Sequence, residues 1–156
     1  MSDRAAPAPV NAVPANVEEG GPIQPTDQDF QHSLRFRVTL RRFLRWSEEL
    51  AAEAGLTPAQ HQLLVAIKGH PGPLPPAIRE IADYLLLQSH SAVGLVDRAE
   101  AAGVVRRRPD PDDGRVVRVH LTEKGDHLVT SLTRAHLAEL HKLAGALNEL
   151  LSAERP

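Results

Sequence analysis

Apolar positions change period several times along the chain, and each change marks an element. Between residues 30 and 54, Phe36, Leu40 and Phe43 recur at spacings of four and three, and Leu50 and Ala54 extend the stripe. Arg35, Arg37, Arg41, Arg42 and Arg45 fill the gaps. The pattern predicts an amphipathic helix that stops at Gly55. Arg45 and Glu49 stand one turn apart, as on a solvated, ion-paired face. A second helix starts at Thr57-Pro58-Ala59-Gln60: threonine caps, proline suits the first helical position, and glutamine closes a capping box. Leu63, Leu64 and Ile67 form its inward face. The run GHPGPLPP from Gly69 holds too many breakers for a helix and reads as a loop, with a short strand placed at Leu74.

A compact helix pair follows. Ile78, Ile81, Ala82 and Leu85 space a short helix, and Leu86-Leu87-Gln88 forms a tight turn. A second helix runs from about Ser89 to Ala102, burying Ala92, Leu95, Val96 and Ala99, and stops at Gly103. This is the helix-turn-helix plan. The period then drops to two. Strands are expected at 104–108 and 115–121, with Val117, Val119 and Leu121 on one face and Val116, Arg118 and His120 on the other. Pro109-Asp110-Pro111-Asp112-Asp113-Gly114 between them must project as a loop. A hairpin directly after a helix-turn-helix is a wing.

Thr122 caps a last helix that meets no proline until Pro156. Leu128, Leu132, Leu140, Leu143, Leu147 and Leu150 line it, and from Leu140 onward they form an a/d seam. Such a seam exceeds what one small domain needs for its own core. Its expected partner is the same helix of a second copy, with the helix at 30–54 packed beside it. The expected fold class is therefore mainly α with a small β-hairpin wing (α+β): a winged helix-turn-helix between N- and C-terminal dimerisation helices, acting as a homodimer.

Composition narrows the function. The 156 residues suit one domain, and 42% hydrophobic with 24% charged residues is ordinary for a globular chain. Residues 1–26 carry five of the thirteen prolines and no aromatic residue, so they read as a flexible tail. Residues 27–156 read as a single domain, with 27–54 and 122–156 as dimerisation helices and 55–121 as the winged helix-turn-helix. No apolar run approaches the roughly 18 residues that cross a bilayer, and the first residues lack the apolar core of a secretory signal. No membrane role is expected, and the cytoplasm is the expected location. The absence of cysteine excludes disulfide scaffolds, cysteine-ligated zinc and thiol nucleophiles.

Net charge is −2, but residues 1–33 hold −4 of it, 34–54 are +2, and 78–121 balance to zero. Local placement therefore matters more than the total. No serine, histidine and aspartate stand at a diagnostic spacing, so the chain is not expected to be an enzyme, and no cofactor is expected. The eight histidines include no i,i+4 pair and no His-Glu-x-x-His motif, so no metal site is expected. His127, His136 and His141 on the last helix are where a metal-responsive alternative would be tested.

The segment IREIADYLLLQSHSAVGLVDRAEAAGVVRRRPDPDDGRVVRVHLTEKG (78–125), with LTPAQHQLLVAI (56–67) before it, resembles the MarR (multiple antibiotic resistance regulator) family of winged-helix transcription factors. The resemblance covers about residues 30–152. Departures are Asp112 and Gly114 where the wing often carries basic residues, Ala99 for a usual leucine, and His61 where an aromatic often faces an effector pocket.

The resemblance implies that the second helix of the pair enters the major groove with Gln88, Ser89, His90 and Ser91 against base edges, where glutamine can pair with adenine. Gly94 then permits close approach of the groove, and Arg98 reaches phosphate. Arg115 corresponds to the wing arginine of the minor groove, and Asp113 orients it or a strand arginine by a salt bridge. Arg106 to Arg108 and Arg118 lie near the DNA backbone, Arg106 and Arg108 being the site candidates. The implied function is a sequence-specific regulator, a repressor released from a pseudo-palindromic double-stranded operator by a small organic ligand. That effector would sit between the dimerisation helices and the DNA-binding lobe, with Arg42, Trp46 and His61 as candidate contacts. The alternatives are a metal-responsive regulator of the same fold, or a winged-helix protein-interaction scaffold that does not bind DNA.

Overall fold

A computed structural model describes residues 24–152. Most of the expected tail lies outside these residues, and the side chains of the seam positions Leu147 and Leu150 lie outside what is described. The elements run α1 (Asp27–Glu53), α2 (Pro58–Lys68), α3 (Ile78–Tyr84), α4 (Ser89–Ala101), β1 (Val105–Pro109), β2 (Val117–Leu121) and α5 (Glu123–Ser152).

Caps set the helix ends. At α1 the Thr26 hydroxyl accepts the Asp29 N–H at 3.3 Å, and the Asp29 carboxylate accepts the Thr26 N–H at 2.7 Å. This reciprocal pair starts α1 ahead of its apolar stripe. Thr57 and Gln60 make the same arrangement at α2, at 3.2 and 2.9 Å. Gly55 and Gly103 follow α1 and α4 with φ of 76° and 71°, the left-handed conformation that ends a helix without strain only in glycine.

The inward faces expected for α2, α3 and α4 meet in one core. Leu63, Leu64 and Ile67 pack with Ile81, Leu95, Val96 and Ala99, closed by Val104, Val105 and Val119 from the hairpin and Val129 and Leu132 from α5. The α1 stripe differs from expectation. Phe36 is exposed, and the buried α1 residues are Ser47 and Ala51. Ser47 is buried against α5, where its Oγ lies 2.7 Å from Nε2 of the buried His136, while Leu50 and Ala54 of the stripe pack on the core. The N-terminal half of α1 leaves Phe30 and Leu34 63% and 59% exposed, and α5 exposes Leu137 and Leu140.

The hairpin also shifts. β1 and β2 pair antiparallel in the register Val105↔Leu121, Arg107↔Val119 and Pro109↔Val117. Val104 lies outside the ladder: its N–H donates to Ala99 O and its carbonyl accepts the Thr122 N–H, each at 3.1 Å. Arg115 and Val116 lie before the ladder, because their N–H groups donate to the Asp113 carboxylate and carbonyl at 3.1 and 2.9 Å, in a turn where the Asp110 carboxylate captures the N–H groups of Asp112 and Asp113 at 2.8 and 3.0 Å. The extended piece expected at Leu74 lies later, where Ala77 bridges Arg118 and the Val119 N–H donates to Pro76 O at 2.9 Å. The wing is thus joined to the segment leading into α3.

Candidate nucleic-acid interface

The N-terminus of α4 projects a polar tip. Gln88 precedes the helix in an extended conformation, and its side chain makes no capping bond. Its carbonyl accepts the N–H groups of Ser91 and Ala92. Gln88, Ser89 and His90 are exposed, and Ser91 and Gly94 are half-buried. At about 100° per residue, His90, Ser91, Gly94 and Arg98 share one side of α4. The opposite side is the core face of Ala92, Leu95, Val96 and Ala99. A β-carbon at Gly94 would meet only the Arg98 guanidinium, at 3.4 Å.

Val93, Asp97 and Glu100 form a flank of α4 that would repel phosphate if left alone. Arg107 pairs with both carboxylates and offsets one of their two charges. Its guanidinium reaches Asp97 and Glu100 at 2.7 Å each and Val93 O at 3.2 Å. The Arg107 backbone N–H also donates to Glu100, and these bonds hold the Glu100 carboxyl below the usual range. The arginine expected near the DNA backbone instead ties β1 to α4.

Arg118 is likewise committed elsewhere. It pairs with Asp110, donates to Pro75 O at 2.7 Å and approaches Glu80. Glu80 in turn accepts the Ala77 N–H at 2.7 Å. The Asp110 side chain is only 7% exposed, and the Arg118 bond, followed by the two captured N–H groups, lowers its pKa. The wing turn is therefore rigidly fastened to the start of α3.

Arg106, Arg108, Arg118 and His120 share the outer face of the hairpin, since Arg106 pairs with His120 and Arg108 with Arg118. Burial, then the charges of these three arginines, pushes His120 down. At the tip Arg115 is 91% exposed, and Asp113 accepts its Nε at 3.0 Å and its Nη2 at 3.1 Å. The pair lowers the Asp113 pKa and raises that of Arg115. Asp113 thus aims the tip arginine.

A second constellation lies where α1, α2 and α5 meet. The His136 ring centroid is 4.9 Å from those of Trp46 and His61, and 6.0 Å from Phe43 in an edge-on contact. His136 Nδ1 faces Leu132 O at 2.7 Å. A carbonyl only accepts, so Nδ1 carries the proton, and in the neutral ring Nε2 accepts from the Ser47 hydroxyl. His61 is buried, and burial together with the neighbouring His136 lowers its pKa. Arg42 and Trp46 line an adjacent cleft of about 410 Å³ with Thr39, Phe43, Glu139, Lys142 and Leu143. His61 does not line it but stands behind His136.

Both ring nitrogens of His136 are therefore engaged, while His127 and His141 are exposed. Among the described residues no group of three or more His, Asp or Glu is placed to hold a metal ion. No described helix is long and apolar enough to cross a membrane. Sequence reading missed the Ser47–His136 contact, which spans 89 residues and has no local signature. For Arg107 the spacing of Asp97 and Glu100 on one α4 flank was an available signal.

The MarR family model matches residues 54–116, from the end of α1 to the wing turn. The transcriptional regulator MhqR of Bacillus subtilis is 33% identical over 95 residues, 61% of this chain and 63% of MhqR. TtmR of Methylorubrum extorquens is 31% identical over 109 residues, 70% of this chain and 54% of TtmR. The chain thus spans under two thirds of the length of either relative, and both relatives are HTH-type transcriptional regulators. The fold is that of the S. aureus MepR–DNA complex, at TM-score 0.64 and 22% identity over 78% of this chain and 90% of MepR. Over residues 54–116 the chain is similar to the MarR family of winged helix-turn-helix regulators.

Proposed function

We propose that this chain is a homodimeric transcriptional repressor that binds a pseudo-palindromic double-stranded DNA operator in the cytoplasm and leaves it on binding a small organic ligand. The observation that carries the reading is the pairing of an uncapped, exposed polar tip on α4 with a wing whose terminal arginine is 91% exposed. Gln88, Ser89, His90 and Ser91 are the base-reading groups, with Gly94 allowing close approach. Arg98, Arg106 and Arg108 supply phosphate contacts, and Asp113 holds Arg115 toward the minor groove. Arg107 offsets one of the two α4 flank charges, and Arg98, Arg106, Arg108 and Arg115 supply the local positive charge although residues 78–121 carry no net charge. The similarly folded S. aureus MepR forms a complex with DNA, which supports a DNA-binding reading.

The second copy would cover Phe30, Leu34, Leu137 and Leu140, which one chain leaves exposed. The ligand would occupy the cleft at Arg42 and Trp46. A guanidinium beside aromatic faces suits a small molecule with an apolar body and a polar or anionic head. His61 would act only through the neighbouring His136 ring, whose centroid is 4.9 Å away. Occupancy would alter the α1–α5 contact and thereby the spacing of the two α4 helices, a shift between binding-competent and incompetent populations.

Random-sequence selection with the whole chain, followed by salt titration of the enriched DNA, tests this reading. An inverted repeat with half-sites about one helical turn apart, and affinity that falls steeply with salt, is expected. Failure to enrich any sequence over random DNA would overturn it.

A further inference from the structure

Leu86 is the only non-glycine residue with positive φ among the described residues, at 52°. It occupies the position after α3 where the chain reverses: its N–H donates to Asp83 O, and the Leu87 N–H donates to Ala82 O at 2.8 Å. Glycine adopts this conformation without strain, and a leucine does not. Packing does not explain the leucine, because the side chain is 93% exposed. A strained residue kept with its apolar side chain in water calls for a contact outside the chain.

The geometry points to Leu86 as a specificity residue that packs against the C5-methyl group of a thymine at the edge of each half-site. This rests on the DNA-binding reading above. Leu86 lies two residues before Gln88, so their Cα atoms are at most about 7.6 Å apart. That span matches roughly two base steps of about 3.4 Å each. Gln88, Ser89 and His90 offer hydrogen bonds, and Leu86 is the wholly exposed apolar group beside them. The thymine methyl is the apolar mark that the major groove presents. The left-handed turn holds the side chain outward at the tip instead of letting it fold onto the core.

The test uses the whole chain and the operator obtained by selection. Each thymine is replaced in turn by deoxyuridine, which removes the methyl group and leaves the pairing intact. One thymine per half-site should show a loss of about fourfold in affinity, the value of one buried methyl group. Leu86→Gly should bind the unmodified operator more weakly and should no longer distinguish thymine from uracil at that position. Because glycine relieves the backbone strain, the variant should melt no lower than the parent, which separates lost contact from lost fold. An unchanged thymine-to-uracil profile in Leu86→Gly would overturn the inference while leaving DNA binding standing. No enriched operator at all would overturn both.

Discussion

Gly125 is the tightest point between the wing and the dimerisation helix. It lies in the first turn of α5, where its N–H donates to the Thr122 hydroxyl at 3.1 Å. A β-carbon built there would stand 2.0 Å from Val104 O and 2.9 Å from Val104 C. An ordinary carbon–oxygen approach is about 3.3 Å, so Gly125→Ala must open the contact by roughly 1.3 Å. Neither side is a flexible side chain. Val104 is buried, and its carbonyl accepts the Thr122 N–H at 3.1 Å. Opening the gap sacrifices that hydrogen bond, about 1 kcal/mol, and adds overpacking strain of about 1–3 kcal/mol. The better helix propensity of alanine returns up to about 1 kcal/mol. The net is a destabilisation of about 2 kcal/mol, or roughly 6–8 °C in Tm for a domain of this size. Gly145→Ala is the control: it lies in the same helix, and its β-carbon meets nothing within 4 Å. Thermal melting by circular dichroism should show Gly125→Ala well below the parent and Gly145→Ala at or above it. Equal shifts in the two variants, or no loss for Gly125→Ala, would refute the close approach as the reason for the glycine.

Three further outcomes are expected. Arg115→Ala should weaken binding to all sequences alike and reduce the salt slope by about 1, measured by titrating one operator at several salt concentrations. Gln88→Ala should leave the melting temperature unchanged, because the side chain makes no capping bond, while relaxing base preference at one position by about 1–3 kcal/mol in repeated selection. His61 has a lowered pKa in the fold, so its neutral form is the stabilising one. That contribution is complete above the ordinary value of 6.5 and is lost as pH falls below it toward the folded value. His120 acts in the same direction. The measurement is therefore the difference in Tm between the parent and His61→Gln from pH 8 to 5.5, and a constant difference would refute the assignment.

Much of the fold was legible because its signals are local. Thr57-Pro58-Ala59-Gln60 starts a helix through bonds spanning three residues, and Gly103 ends one through its own φ. The spacing of Ala92, Leu95, Val96 and Ala99 needs no partner to be read, and all four are buried. The strand limits were less legible. One residue, Asp113, takes Arg115 and Val116 out of the expected strand by accepting the first N–H with its carboxylate and the second with its carbonyl. Alternation of side chains registers a face but not a competing side-chain bond.

The interface divides in the same way. Polar residues at the start of α4 and an arginine at the wing tip follow from chain order, since a helix terminus and a loop tip are positions along the sequence. Which arginines remain available does not. Arg107 and Arg118 look the same as Arg106 and Arg108 in the run of strand residues, yet the first two are bound to Asp97, Glu100 and Asp110. Strand alternation and helix phase bring those carboxylates within reach only after the hairpin packs on α3 and α4. Burial of Ser47 and the ring contacts of His136 with Trp46 and His61 likewise required three distant helices to meet. Periodicity and capping specify elements because their energies are settled within a few residues. Charge pairing and polar burial depend on separations in space, which the assembled fold alone supplies.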